Sequence, residues 1–78
     1  MTGIAKMRLT DRLLILHMLK ILDGKTMNRS DWQMATQIHF VKFNKLLKIV
    51  LGEKYVERVK RGIYRITDDG KKFGKFDG

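Results

Sequence analysis

The side chains able to do chemistry in this chain are two histidines, a pair of adjacent aspartates, one asparagine in a lysine-rich stretch, and an excess of cations. Cysteine is absent, which removes thiolate metal sites, disulfides and thiol nucleophiles. His17 and His39 fall on different expected elements, so no metal site is expected. Asp68 and Asp69 are neighbours, and a helix N-terminus explains them better than acid–base catalysis does. No glycine motif of the dinucleotide or P-loop kind occurs. No catalytic constellation is left, and neither an enzyme nor a bound cofactor is expected.

The cations remain. The formal net charge is +9. Between residues 41 and 66 stand Lys42, Lys45, Lys48, Lys54, Arg58, Lys60, Arg61 and Arg65 against Glu53 and Glu57, eight cations to two anions, a net +6. Such concentration fits a polyanion, because phosphate binding gains affinity by releasing condensed counterions. Lys42, Lys45 and Lys48 share the polar side of one expected helix with Val41 and Asn44. Asn44 is the candidate base reader, since asparagine bonds adenine in bidentate fashion, with an ordinary surface asparagine as the alternative. His39 is either a phosphate contact or a helix cap. Arg58, Lys60, Arg61 and Arg65 are the candidate backbone contacts, and Arg61 also suits a narrow minor groove.

Other partners fit less well. No apolar run approaches the roughly 20 residues of a membrane span; the longest is Leu13 to Leu16. The stretch "MTGIAKMR" lacks the apolar core of a secretory signal. No membrane partner is expected, and a cytoplasmic, nucleoid-associated location follows.

These residues need a frame. Residues 1–8 read as an arm and residues 9–78 as one domain. "LTDRLLILHMLKILDG" predicts helix 1, with Thr10 as N-cap, a Leu9–Leu14 staple and Gly24 as the stop. Leu14, Ile15, Met18, Leu19, Ile21 and Leu22 form its core arc. Leu13 and Leu16 fall among polar residues, which points to a second contact. Either a second subunit or the chain's own C-terminal segment meets that need. A homodimer through Leu13 and Leu16, assisted by Phe73 and Phe76, is the expectation taken forward. "KTMN" predicts a short strand. "SDWQMATQI" predicts helix 2, capped by Ser30 with Gln33, and with Trp32, Ala35 and Met34 facing inward. "FVKFNKLLKIVL" predicts helix 3 on Phe43, Leu46, Leu47 and Val50. Tyr55 to Val59 and Ile63 to Ile66 predict a hairpin turned at Gly62. Thr67 opens a last helical segment, weakened by Gly70 and Gly74 and anchored by Phe73 and Phe76.

Helices 2 and 3 are close enough for a helix-turn-helix, whose second helix enters the major groove. By "IHFVKFNKLLKIVLGEKYVERV" followed by "GIYRITDDGKKF", the chain resembles small archaeal winged helix-turn-helix DNA-binding proteins of the regulator or chromatin type. Ile38, His39, Phe40, Phe43, Leu46, Leu47 and Val50 take the family's third-helix pattern. Tyr64, Ile66, Thr67, Gly70 and Phe73 take the pattern that ends its wing. The resemblance implies an α+β winged helix-turn-helix: a three-helix core, a two- or three-stranded β-wing and a short C-terminal helical segment. It also implies a recognition helix at 40–51, a wing at 55–66, and homodimers. Many such proteins continue into a long dimerisation helix, whereas this chain stops at Gly78, so helix 1 is the expected dimer element. The function expected is a sequence-reading double-stranded DNA-binding protein acting in transcription regulation. The alternatives are a protein–protein docking module and a nonspecific architectural DNA-binding protein.

Overall fold

The computed structural model describes residues 9–75. The arm at 1–8 and Phe76 lie outside the described residues. In chain order the elements are α1 (Leu9–Leu22), β1 (Thr26–Asn28), α2 (Arg29–Thr36), α3 (Phe40–Gly52), β2 (Val56–Lys60), β3 (Ile63–Ile66) and α4 (Asp68–Gly74). The described residues thus form a small α+β domain with four helices and one antiparallel three-stranded sheet of order β1-β3-β2. None of these helices is long and apolar enough to cross a membrane.

The apolar periodicity of α1 and α3 builds the core. Ile15, Met18, Leu19 and Leu22 from α1 meet Phe43, Leu46, Leu47 and Val50 from α3, and Val56, Tyr64 and Ile66 close the sheet side. Trp32 sits at the centre, fully buried. Its indole packs edge-on against Phe43 at 5.1 Å and near Tyr64 at 5.8 Å, while Nε1 donates to the Met18 carbonyl at 2.9 Å. The ring therefore fills the core and satisfies its own polar atom.

Three local expectations need correction. Thr10 does not cap α1, because it already lies within the helix, and Leu9 is 72% exposed, so no staple with Leu14 forms. The cap of α2 is Asn28, not Ser30: its side chain accepts from the Asp31 amide at 2.7 Å. Asn28 also ends β1, so strand and helix abut and leave Ser30 inside the helix. Ala35 and Met34 are exposed; α2 buries only Trp32 and Thr36, one turn apart.

The α2–α3 turn is fixed by side chains. Gln37 takes the left-handed conformation at φ 61°. Thr36 Oγ1 donates to the Gln33 carbonyl at 2.7 Å and accepts from the Ile38 amide at 3.3 Å. Gln33 Nε2, free of any capping role, donates to the Ile38 carbonyl at 2.5 Å.

Gly70 has a role that helix propensity hides. It is buried where α4 crosses the start of β2, and a Cβ there would stand 2.1 Å from the Tyr55 carbonyl oxygen. Only a glycine lets the two backbones approach this closely. Beside it Phe73 stacks on Tyr55 at 4.6 Å, with the Arg12 guanidinium 5.5 Å from the Phe73 ring centroid. Burial, with help from Glu53 and Asp69 and against Arg12, pushes the Tyr55 phenol above its ordinary pKa.

Candidate nucleic-acid interface

With Phe43, Leu46, Leu47 and Val50 in the core, α3 turns Val41, Lys45 and Lys48 to solvent at i, i+4, i+7 spacing. No aspartate or glutamate occurs in the helix. Its two flanks differ. Lys42 leans toward α1 and pairs with Asp11 at 2.6 Å, a partly exposed pair of small energetic worth. Asn44 leans the other way, half-buried, and lines a cleft of about 170 Å³ with Arg29, Ser30, Gln33, Phe40 and Phe43. His39 caps α3, its Nδ1 accepting from the Val41 amide at 3.3 Å, and its ring stacks on Phe40 at 4.7 Å.

The hairpin distributes its cations over two faces. Arg58 pairs with Tyr64, so it leaves the sheet on the core side, where its guanidinium lies 5.9 Å from the Tyr64 ring centroid. Arg65 pairs in register with Glu57 on the opposite face and makes a salt bridge with it. A shallow cleft of about 820 Å³ surrounds that pair, with Lys25, Lys54 and Lys71 set among Asp68 and Asp69. This second face mixes both signs. Between Arg58 and Lys60 the register slips by one residue, which sends Lys60 to the face of Ile63 and away from Arg58. Arg61 and Gly62 form the turn, with Gly62 at φ 76°.

The turn does not project as a free tip. β1 runs beside β3 to its end, Asn28 opposite Ile63, and the Arg29 amide donates to the Gly62 carbonyl at 3.1 Å. Lys60 and Arg61 are thereby held beside the start of α2, and Arg29 joins them. The sequence alone assigns Arg29 no role, since nothing local reveals a bond that spans 33 positions. His17, too, is more than the plain helix-surface residue its position implies: Nε2 lies 3.0 Å from the Thr36 carbonyl and satisfies the C-terminal end of α2.

The residues expected at a dimer contact separate as well. Leu13 is 56% exposed and Leu16 half-buried, and Leu9 extends their strip by one turn. Phe73 is engaged within its own chain, between Tyr55 and Arg12. A second exposed apolar group, Met34, Phe40 and Val41, stands on α2 and the start of α3. No family model, characterised protein or solved structure matches the chain.

Proposed function

We propose that this chain is a double-stranded DNA-binding domain of winged helix-turn-helix type, with α3 in the major groove and the β2–β3 turn on the flanking backbone. The observation that carries the reading is a core-anchored helix whose solvent stripe holds Val41, Lys45 and Lys48 and no acid. A groove about 12 Å wide accepts one such helix. The element order and the β1-β3-β2 sheet are compatible with a winged-helix layout. The role follows as a transcriptional regulator or nucleoid component, working in the cytoplasm. A symmetric pair through Leu9, Leu13 and Leu16 of α1 completes the proposal, since a two-fold contact covers the same strip on both copies. The exposed Met34, Phe40 and Val41 favour one other reading, a protein-docking surface.

Fluorescence titration of a labelled 20-bp duplex over a salt series decides between them. The parent should bind at low salt with a steep dependence on salt. Lys60→Ala with Arg61→Ala should flatten the plot of log affinity against log salt by about 0.9 for each phosphate no longer neutralised. An unchanged slope removes the hairpin turn from the interface. A parent that binds no duplex at low salt gives way to the docking reading.

A further inference from the structure

The same surface carries an inference about how DNA is read, which rests on the duplex-binding proposal. Lysine can bond guanine, but the side chains that present matched donors and acceptors to base edges in one fixed geometry are arginine forks for guanine and asparagine or glutamine for adenine. The structure places few of these where a groove-bound α3 would use them. Asn44, the amide side chain of α3, is half-buried in the α2–α3 cleft, and Phe40, 60% exposed, stands one turn before it at the mouth. The solvent stripe itself is Val41, Lys45 and Lys48. A lysine ammonium is a compact, hydrated point charge on a flexible stem, and it takes a phosphate as readily as a base edge.

The arginines among the described residues are disposed in the same sense. Arg12 lies over the Phe73 ring, Arg58 lies over Tyr64, and Arg65 is paired with Glu57 on the opposite face of the sheet. Arg29 and Arg61 are left, and both sit at the joint of the hairpin turn and α2, tied by the Arg29–Gly62 backbone bond. That is a position for the sugar-phosphate backbone flanking α3. Backbone contacts set register and orientation but carry no sequence information.

We propose that the domain binds duplex DNA through its phosphates with little preference for base sequence, and that Arg29 is a phosphate contact beside Lys60 and Arg61. Lys45 and Lys48 supply charge along the groove; Arg29, Lys60 and Arg61 clamp the adjoining strand.

Selection from a random 20-bp duplex pool, followed by titration of several unrelated duplexes over a salt series, tests this. The bound fraction should show no enriched motif, and affinities for unrelated duplexes should agree within about threefold, against the thousandfold or greater preference of typical sequence-specific proteins. Asn44→Ala should bind all of them as the parent does. Arg29→Ala keeps the backbone bond to Gly62 and should fold normally by circular dichroism. It should flatten the salt dependence by about 0.9 on every duplex alike. An enriched motif, A·T tracts included, overturns the sequence-tolerant reading, as does a weakening by Asn44→Ala confined to one duplex. A folded Arg29→Ala with the parent's salt slope overturns the assignment of Arg29. Failure of the parent to bind any duplex at low salt overturns the duplex-binding proposal and this inference with it.

Discussion

Gly70→Ala sets two effects of opposite sign against each other. Alanine in a helix interior is favoured over glycine by about 1 kcal/mol. On propensity alone the variant gains stability. The packing says otherwise. The new Cβ would meet the Tyr55 carbonyl oxygen at 2.1 Å and Ile66 Cγ1 at 2.7 Å, where ordinary contact begins at 3.4 Å. The isoleucine carbon can yield, but the carbonyl cannot move cheaply, because it accepts from the Thr67 amide at 2.9 Å. α4 must back away by more than 1 Å, which strains that bond and opens the Tyr55–Phe73 stack. Overpacking of this kind costs about 1–3 kcal/mol, and a broken backbone hydrogen bond about 1 kcal/mol. The net expectation is a loss of about 1–3 kcal/mol. Each kcal/mol moves the midpoint by about 4–8 °C in a domain of this size. Gly52→Ala is the control: it lies at the end of α3, where an added methyl would have nothing within 4 Å, and its φ is not positive. It should melt at or slightly above the parent. Thermal unfolding followed by circular dichroism compares the three proteins. A Gly70→Ala variant that melts with Gly52→Ala, or above the parent, refutes the close-approach argument.

Two further outcomes are expected. Trp32→Ala should lose about 3–5 kcal/mol, because it empties the centre of the core and removes the donor to the Met18 carbonyl; denaturant titration checks it, and parent-like stability would contradict the core assignment. Sedimentation across concentration should show a dimer for the parent and a monomer for Leu13→Glu with Leu16→Glu, whereas a parent that stays monomeric at high micromolar concentration refutes the α1 contact.

The long periodic elements are legible in the sequence, because burial at i, i+3, i+4, i+7 writes itself into Phe43, Leu46, Leu47 and Val50 whatever surrounds them. α2 is less so. It has only eight residues and buries two, so the rule that apolar means inward misplaces Met34 and Ala35. The cap read from its sequence is Ser30, whereas the residue that caps it, Asn28, is chosen by where β1 stops pairing with β3. Gly70 looks like a helix weakness because propensity is local, while its reason is a carbonyl 15 positions away. One signal for the site lies in the sequence itself: Tyr64 and Ile66 are core, so strand alternation already puts Arg65 on the face opposite them, away from Arg58 and beside Glu57. The register slip near Val59 and the Arg29–Gly62 bond have no local signature.

Two side chains cross from α1 to α2 or back, His17 to the Thr36 carbonyl and Trp32 to the Met18 carbonyl. Thr36 and Gln33 then bind Ile38, one residue before the α3 cap. A chain of hydrogen bonds that begins in α1 thus reaches the residue before the α3 cap and, with the core packing of Phe43, Leu46, Leu47 and Val50, positions α3 without the side chains of the solvent stripe. Lys45 and Lys48 stand outside this chain and can be exchanged without disturbing it. Long, flexible cations on a hydrogen-bonded frame fit the proposed duplex, whose charges recur at regular spacing: the frame would hold the helix in the groove while each ammonium found its own phosphate. Reading base edges makes the opposite demand, a side chain held in one geometry, and in α3 the residue held that way is Asn44, inside the cleft.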